Sequence, residues 1–141
     1  MYIPNHLTKK DKELQKKEIS KSKKLYKKNM FYTRKKIPSF KPKPSKHLKK
    51  VKDIYNIDPL VINRTLVQKT GCPKPVLQKI VNKGMGAYYS SGSRPNQTAE
   101  SWGMARLASA ITGGHAGKSD AHLIRQCKKT SKAYKLNIHH I

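Results

Sequence analysis

Residues 84–106 break the lysine pattern of this chain, and that break constrains the fold more than any other feature. The run Gly-Met-Gly-Ala-Tyr-Tyr-Ser-Ser-Gly-Ser-Arg-Pro-Asn-Gln-Thr-Ala-Glu-Ser-Trp-Gly-Met-Ala-Arg sets small residues beside aromatics and contains no Lys. Its flanks are Lys-rich, so this is where a close-packed backbone is expected. The spacing predicts a tightly built loop in which Gly84, Gly86 and Gly92 take positive φ or let a neighbouring backbone approach. Tyr88, Tyr89 and Arg94 are then placed to dock on a partner. Alternatively, Arg94 and Pro95 brace the loop, with Trp102 over Arg94 or Arg106 as a cation–π contact.

The rest of the chain is governed by charge. Lys and Arg total 32 against seven acids, a formal charge of +25 over 141 residues. Residues 1–50 carry 18 of the basic residues and three of the acids, and residues 51–141 still carry an excess of ten positive charges. So one-sided a chain is compact only where a polyanion or an acidic protein surface neutralises it. Cys72 and Cys127 are too few for a disulfide framework, no apolar run is long enough to span a bilayer, and no secretory pattern opens the chain. A reduced, cytosol-made protein is expected.

Three parts are expected: a basic extended arm over 1–47, a small helical domain over 48–128 and a basic tail over 129–141. In the arm, Leu14, Glu18, Lys21 and Leu25 approach helical spacing, so a helix forms once charge is neutralised; alone in water the composition favours disorder. Three prolines between Pro38 and Pro44 dictate an extended strap. In the domain, a first helix is expected over Leu48–Tyr55. Asp58-Pro59 signals a helix running to Lys69 and stopped by Gly71. Pro73 and Pro75 open another, carrying Val76, Leu77, Ile80 and Val81 and stopped by Gly84. Thr98 caps a helix with Met104, Leu107, Ala108 and Ile111 on one face, ended by Gly113-Gly114. Ser119-Asp120 starts a last short helix with Leu123, Ile124 and Cys127. No period-two strand is present, so the fold class is mainly α.

Few residues offer chemistry. Thr112-Gly113-Gly114-His115-Ala116-Gly117-Lys118-Ser119 nearly matches a phosphate-binding loop, but Thr112 replaces the first glycine and a helix precedes it where a strand is needed. A helix C-cap followed by the next N-cap accounts for it. His115, His122, Cys72, Cys127 and His139-His140 lack metal-ligand spacing, and seven scattered acids provide no carboxylate pair. No enzyme, cofactor or metal is therefore expected. The segment Leu66-Val67, Gly71, Leu77 and Ile80 fits a helix-turn-helix, whose second helix would expose Lys74, Gln78, Asn82 and Lys83 to phosphates or base edges. Any helical hairpin with a glycine turn gives the same pattern.

The run from Lys83 to Thr98, with Ser101-Trp102 and Ala105-Arg106-Leu107-Ala108-Ser109 after it, resembles an uncharacterised small basic domain family of nucleocytoplasmic large DNA viruses (giant viruses) and some phages. Tyr2 to Asp11, Tyr32 to Lys36 and Pro38 to Lys41 resemble it too. The resemblance implies a virion protein of a large icosahedral double-stranded DNA virus and brings no catalytic residues. Two functions then stand side by side. One is a minor capsid (cement) protein whose partners are the major capsid protein and minor capsid neighbours. The other is a nucleic-acid binder that organises the genome, or touches it only non-specifically.

Overall fold

The computed structural model describes residues 2–141, and among them eight α-helices, one 3₁₀ turn and no strand. The mainly α expectation holds. The chain divides into two units, residues 2–43 with 85–102, and residues 44–84 with 103–141.

In the first unit, α1 spans Lys9–Tyr26. Thr8 caps it by accepting the Asp11 N–H, and Asp11 in the first turn complements the helix dipole. Its C-terminus closes on Asn29 at φ 60°: Met30 N–H donates to Leu25 C=O (2.9 Å) and Asn29 N–H to Tyr26 C=O (3.0 Å). That pair of bonds is a Schellman motif, with Asn standing where Gly is commonest. The lysines of α1 point outward. Its inward stripe is Asp11, Gln15, Glu18, Ile19 and Ser22, a mostly polar set at helical spacing.

That polar stripe answers a backbone problem. The proline-bearing segment 30–43 has no strand partner, yet its buried N–H groups need acceptors. Side chains supply them at every second residue: Glu18 for Lys35 N–H (2.6 Å), Asn96 for Ile37 N–H (2.7 Å), Asp11 for Ser39 N–H (2.8 Å) and His6 for Lys41 N–H (3.0 Å). Ile37, 1% exposed, is the apolar anchor between them. The segment expected to be a free arm is thus tied down by side chains of α1 and of the 85–102 segment. Composition hid this, because the buried Asp11, Gln15, Glu18, Ile19 and Ser22 share one face of a helix in which eight of the eighteen residues are lysine.

In the second unit, α2 (Lys46–Tyr55) is capped by Ser45 and α3 (Arg64–Thr70) by Asn63, whose Oδ1 accepts the Leu66 N–H. The helix expected from Pro59 therefore begins five residues later, where a side chain meets the first free N–H groups. Gly71, at φ +72°, ends α3 as expected. α4 spans Lys74–Ser90 and α5 Ala99–Ile111, so the boundary between the units falls within both helices. Gly84 does not stop α4, and Gly86 is helical as well. Two helical glycines cost about 1 kcal/mol each, which the burial of Tyr88 (0% exposed) on the following turn outweighs. The helix expected from Ser119-Asp120 is present as α7 (Ala121–Ile124), with Asp120 at its N-cap position, but it ends before Cys127, and a further short helix, α6 (His115–Ser119), precedes it where only a glycine turn was expected.

Val51, Leu66, Leu77, Ile80, Leu107, Ile111 and Ile124 are fully buried. Tyr55 joins this core and donates its hydroxyl to Ile111 C=O; burial pushes its pKa well above the usual phenol value. The expected basic tail is folded. α8 (Lys132–Leu136) buries Ala133, and buried Asn137 donates to the Ala110 and Ala133 carbonyls, both at 2.8 Å. Cys72 and Cys127, expected to be reduced, form a disulfide across 55 residues, beside the Lys128 N–H bond to Gly71 C=O.

Candidate interaction surface

The acids decide what the surface looks like. Asp11, Glu18 and Asp120 are buried, which leaves Glu13, Asp53, Asp58 and Glu100 outside. No acid at all occurs from residue 19 to residue 52. The exterior is accordingly more basic than the composition. On α1 and just beyond it, Lys16, Lys17, Lys21, Lys24 and Lys28 line one open, shallow face with Glu13, Ser20 and Leu25. Lys21 Nζ lies 4.5 Å from the centre of the Tyr32 ring, whose hydroxyl donates to Glu18 (2.8 Å). Burial and the Glu18 carboxylate push the Tyr32 pKa up to about 12.

Beneath it sits a cation. Arg34, 9% exposed, gives Nη1 to Tyr88 C=O (2.6 Å) and to Ser22 Oγ (3.2 Å), and Nη2 to Ser93 Oγ (2.5 Å). Its guanidinium lies 3.7 Å from the centre of the Tyr88 ring, and its own N–H donates to the Tyr88 hydroxyl. Burial lowers its pKa from the ordinary arginine value, with the tyrosines and Glu18 pulling the other way. Of the residues expected to dock, Gly84, Tyr88 and Gly92 are buried, and Gly86, Tyr89, Trp102 and Arg106 are half-buried. Tyr88 is core, and Gly92, at φ +97°, presses on Ile19. Trp102 meets Tyr2 edge-on at 5.4 Å and not an arginine. Arg94 is exposed.

Tyr89 is half-buried. It stacks on Tyr26 (5.6 Å, 14°) and tilts against Phe31 (5.2 Å). Phe31 is 70% and Met30 54% exposed, one residue beyond Lys27 and Lys28.

Arg106 belongs to the second unit and is occupied there. Its Nε and Nη2 each lie 2.8 Å from the Asp120 carboxylate, which Lys83 Nζ also reaches at 3.2 Å. Burial would raise the Asp120 pKa, but Arg106 and Lys83 outweigh it and hold it below the usual carboxylate value. The same bond raises the Arg106 pKa against its own burial. Of the four expected nucleic-acid contacts, Lys74, Gln78 and Asn82 are exposed on α4, with Gln78 Nε2 donating to Asn82 Oδ1. Lys83, although exposed, is drawn to Asp120 and to His122, 3.3 Å away. α3 and α4 follow one another across Gly71.

Sequence reasoning missed Arg34, Glu18, Gln15 and Asp11. The available signal was the run Asp11, Gln15, Glu18 and Ser22, which recurs on one face of a helix whose commonest residue is lysine. The Thr112–Ser119 segment follows α5, and its Thr112 hydroxyl donates to Ala108 C=O inside that helix. Among the described residues no group of three His, Cys, Asp or Glu gathers as a metal site would require, and no helix is long and apolar enough to cross a membrane.

No curated protein and no solved structure is similar to the chain at a significant level. A family model, described as a family of unknown function (DUF5824), matches residues 4–130 and so takes in residues from both units. The chain belongs to that family.

Proposed function

We propose that this is a non-enzymatic structural protein of the particle of a large icosahedral double-stranded DNA virus, made in the host cytoplasm and built into the virion as a minor capsid (cement) piece. The viral part of the reading rests on the signature from Lys83 to Thr98 and the flanking runs that resemble the giant-virus and phage family. One observation carries the rest: the protein withdraws Asp11, Glu18 and Asp120 into its interior and turns almost all of its lysines outward. A small protein so charged is held by acidic surfaces, here those of the major capsid protein and its minor neighbours, and each contact it makes neutralises its own self-repulsion. Because residues 2–43 are folded with 85–102, the basic surface and not a free arm is the adhesive.

Particles emptied of genome and washed at moderate salt should keep this chain in the shell fraction. Release together with the DNA would overturn the capsid reading. It would favour the second reading, genome binding, which the exposed Lys74, Gln78 and Asn82 on α4 support. On that reading purified protein binds duplex DNA with log K falling by about 0.9 per phosphate neutralised and with little preference among sequences.

A further inference from the structure

The tip that follows α1 has an order of polarity that neither capsid nor genome contact requires. Phe31 and Met30 stand furthest out, at 70% and 54% exposed. Behind them lie Tyr26 and Tyr89, half-buried and stacked on one another, with amphipathic rings. Around them in sequence come Lys24, Lys27, Lys28, Lys35 and Lys36, within a 34-residue stretch, 19–52, that holds no acid. The tip is also rigid. The Schellman closure at Asn29 fixes where Met30 leaves the helix, and Phe31 is braced 6.0 Å from Tyr26 and 5.2 Å from Tyr89.

Three occupants would make different demands on such a tip. A single strand of nucleic acid would need separated ring faces for successive bases, whereas here Tyr26 and Tyr89 cover each other. A protein pocket would have to match one convex shape, and flexible Met30 specifies shape poorly. A lipid bilayer sets no shape requirement. It takes apolar groups deepest, tyrosine rings at the headgroup level and lysines outside, against an anionic surface worth about 1 kcal/mol per Lys.

We infer that Met30 and Phe31 form an insertion tip for an anionic lipid bilayer, with Tyr26 and Tyr89 at the headgroup level and the surrounding lysines on the lipid phosphates and carboxylates. This is a peripheral contact and goes beyond the capsid reading without depending on it.

The test uses the full chain and vesicles of phosphatidylcholine, with and without phosphatidylserine, next to duplex DNA. Placing the chain's single tryptophan at the tip (Phe31→Trp with Trp102→Phe) gives a depth probe. Its emission should shift to the blue and be quenched by brominated acyl chains when phosphatidylserine is present. Independently, Phe31→Ala should weaken co-sedimentation with those vesicles by about tenfold while leaving DNA affinity unchanged. Absence of quenching, or unchanged vesicle binding by Phe31→Ala, overturns the inference. So does a tip tryptophan perturbed by DNA and not by vesicles, which would make Phe31 a wedge between base pairs. Retention in emptied shells is a separate measurement, so either reading can fail alone.

Discussion

Replacing Arg34 tests whether a buried cation with no directly bonded carboxylate organises the first unit. Arg34→Ala removes three charge-assisted donations, to Tyr88 C=O at 2.6 Å, Ser22 Oγ at 3.2 Å and Ser93 Oγ at 2.5 Å, and the stack 3.7 Å from the Tyr88 ring centre. The two hydroxyls keep other bonds, Ser93 to Arg94 C=O and Ser22 to Tyr89 C=O, so the orphaned Tyr88 carbonyl is the principal loss. An unsatisfied buried carbonyl costs about 1–3 kcal/mol, and a hydrogen bond to a charged group contributes about 1.5–3. Against this, the variant no longer desolvates a guanidinium, which returns several kcal/mol. With the other bonds roughly offset by that return, the net expectation is the cost of the orphaned carbonyl, about 1–3 kcal/mol, against the 5–15 typical of a domain. Arg34→Lys should lose about half as much, since an ammonium keeps the charge but not the planar fork. Arg34→Met keeps most of the volume and loses every donor, which separates bonding from packing. Urea titration followed by Trp102 emission reads this unit directly, because Trp102 packs on Tyr2 within it. If Arg34→Met is as stable as the parent, the guanidinium bonds contribute nothing and the reasoning is refuted.

The two glycines expected to be alike should separate. Gly92→Ala forces a Cβ at φ +97° to within 3.2 Å of Ile19 and should cost about 2 kcal/mol, whereas helical Gly86→Ala, meeting only the Tyr26 hydroxyl at 3.7 Å, should be neutral or stabilising by up to about 1 kcal/mol; equal thermal shifts would contradict this. The Cys72–Cys127 bond closes a loop across 55 residues, so the Cys72→Ala/Cys127→Ala protein should lose about 4 kcal/mol on the chain-entropy model. Two titratable thiols in the freshly folded parent would rule the bond out. At alkaline pH the raised Tyr32 pKa gives stability that is present below the ordinary tyrosine value of 10.0 and lost as pH rises through about 12; Tyr32→Phe should flatten that window in alkaline unfolding curves. At the acid end the lowered Asp120 pKa gives the opposite sign, with stability present above about pH 4 and lost below it, and Asp120→Asn should abolish that component.

The sequence by itself determined the elements whose signals are local. Thr98 and its Ser101 partner open α5, Gly71 closes α3, and the apolar spacing of Leu77 and Ile80 marks α4. A cap or a periodic face is settled by groups within one helical turn, so one strand of text holds it. The absence of strands was legible for the same reason. Only tertiary structure decided the fate of the first 43 residues, of Gly84 and Gly86, of the C-terminal segment and of the cysteines. Those outcomes hang on pairs far apart in the chain: Gln15 with Ser93, 78 residues away, Arg34 with Tyr88, 54 away, and Cys72 with Cys127, 55 away. Composition read residues 1–47 as a solvated arm because lysine dominates the average. The structure turned instead on the one face of α1 that carries Asp11, Gln15, Glu18, Ile19 and Ser22, since it is unpaired backbone N–H groups, and not charge, that must find partners when a segment without strands is buried.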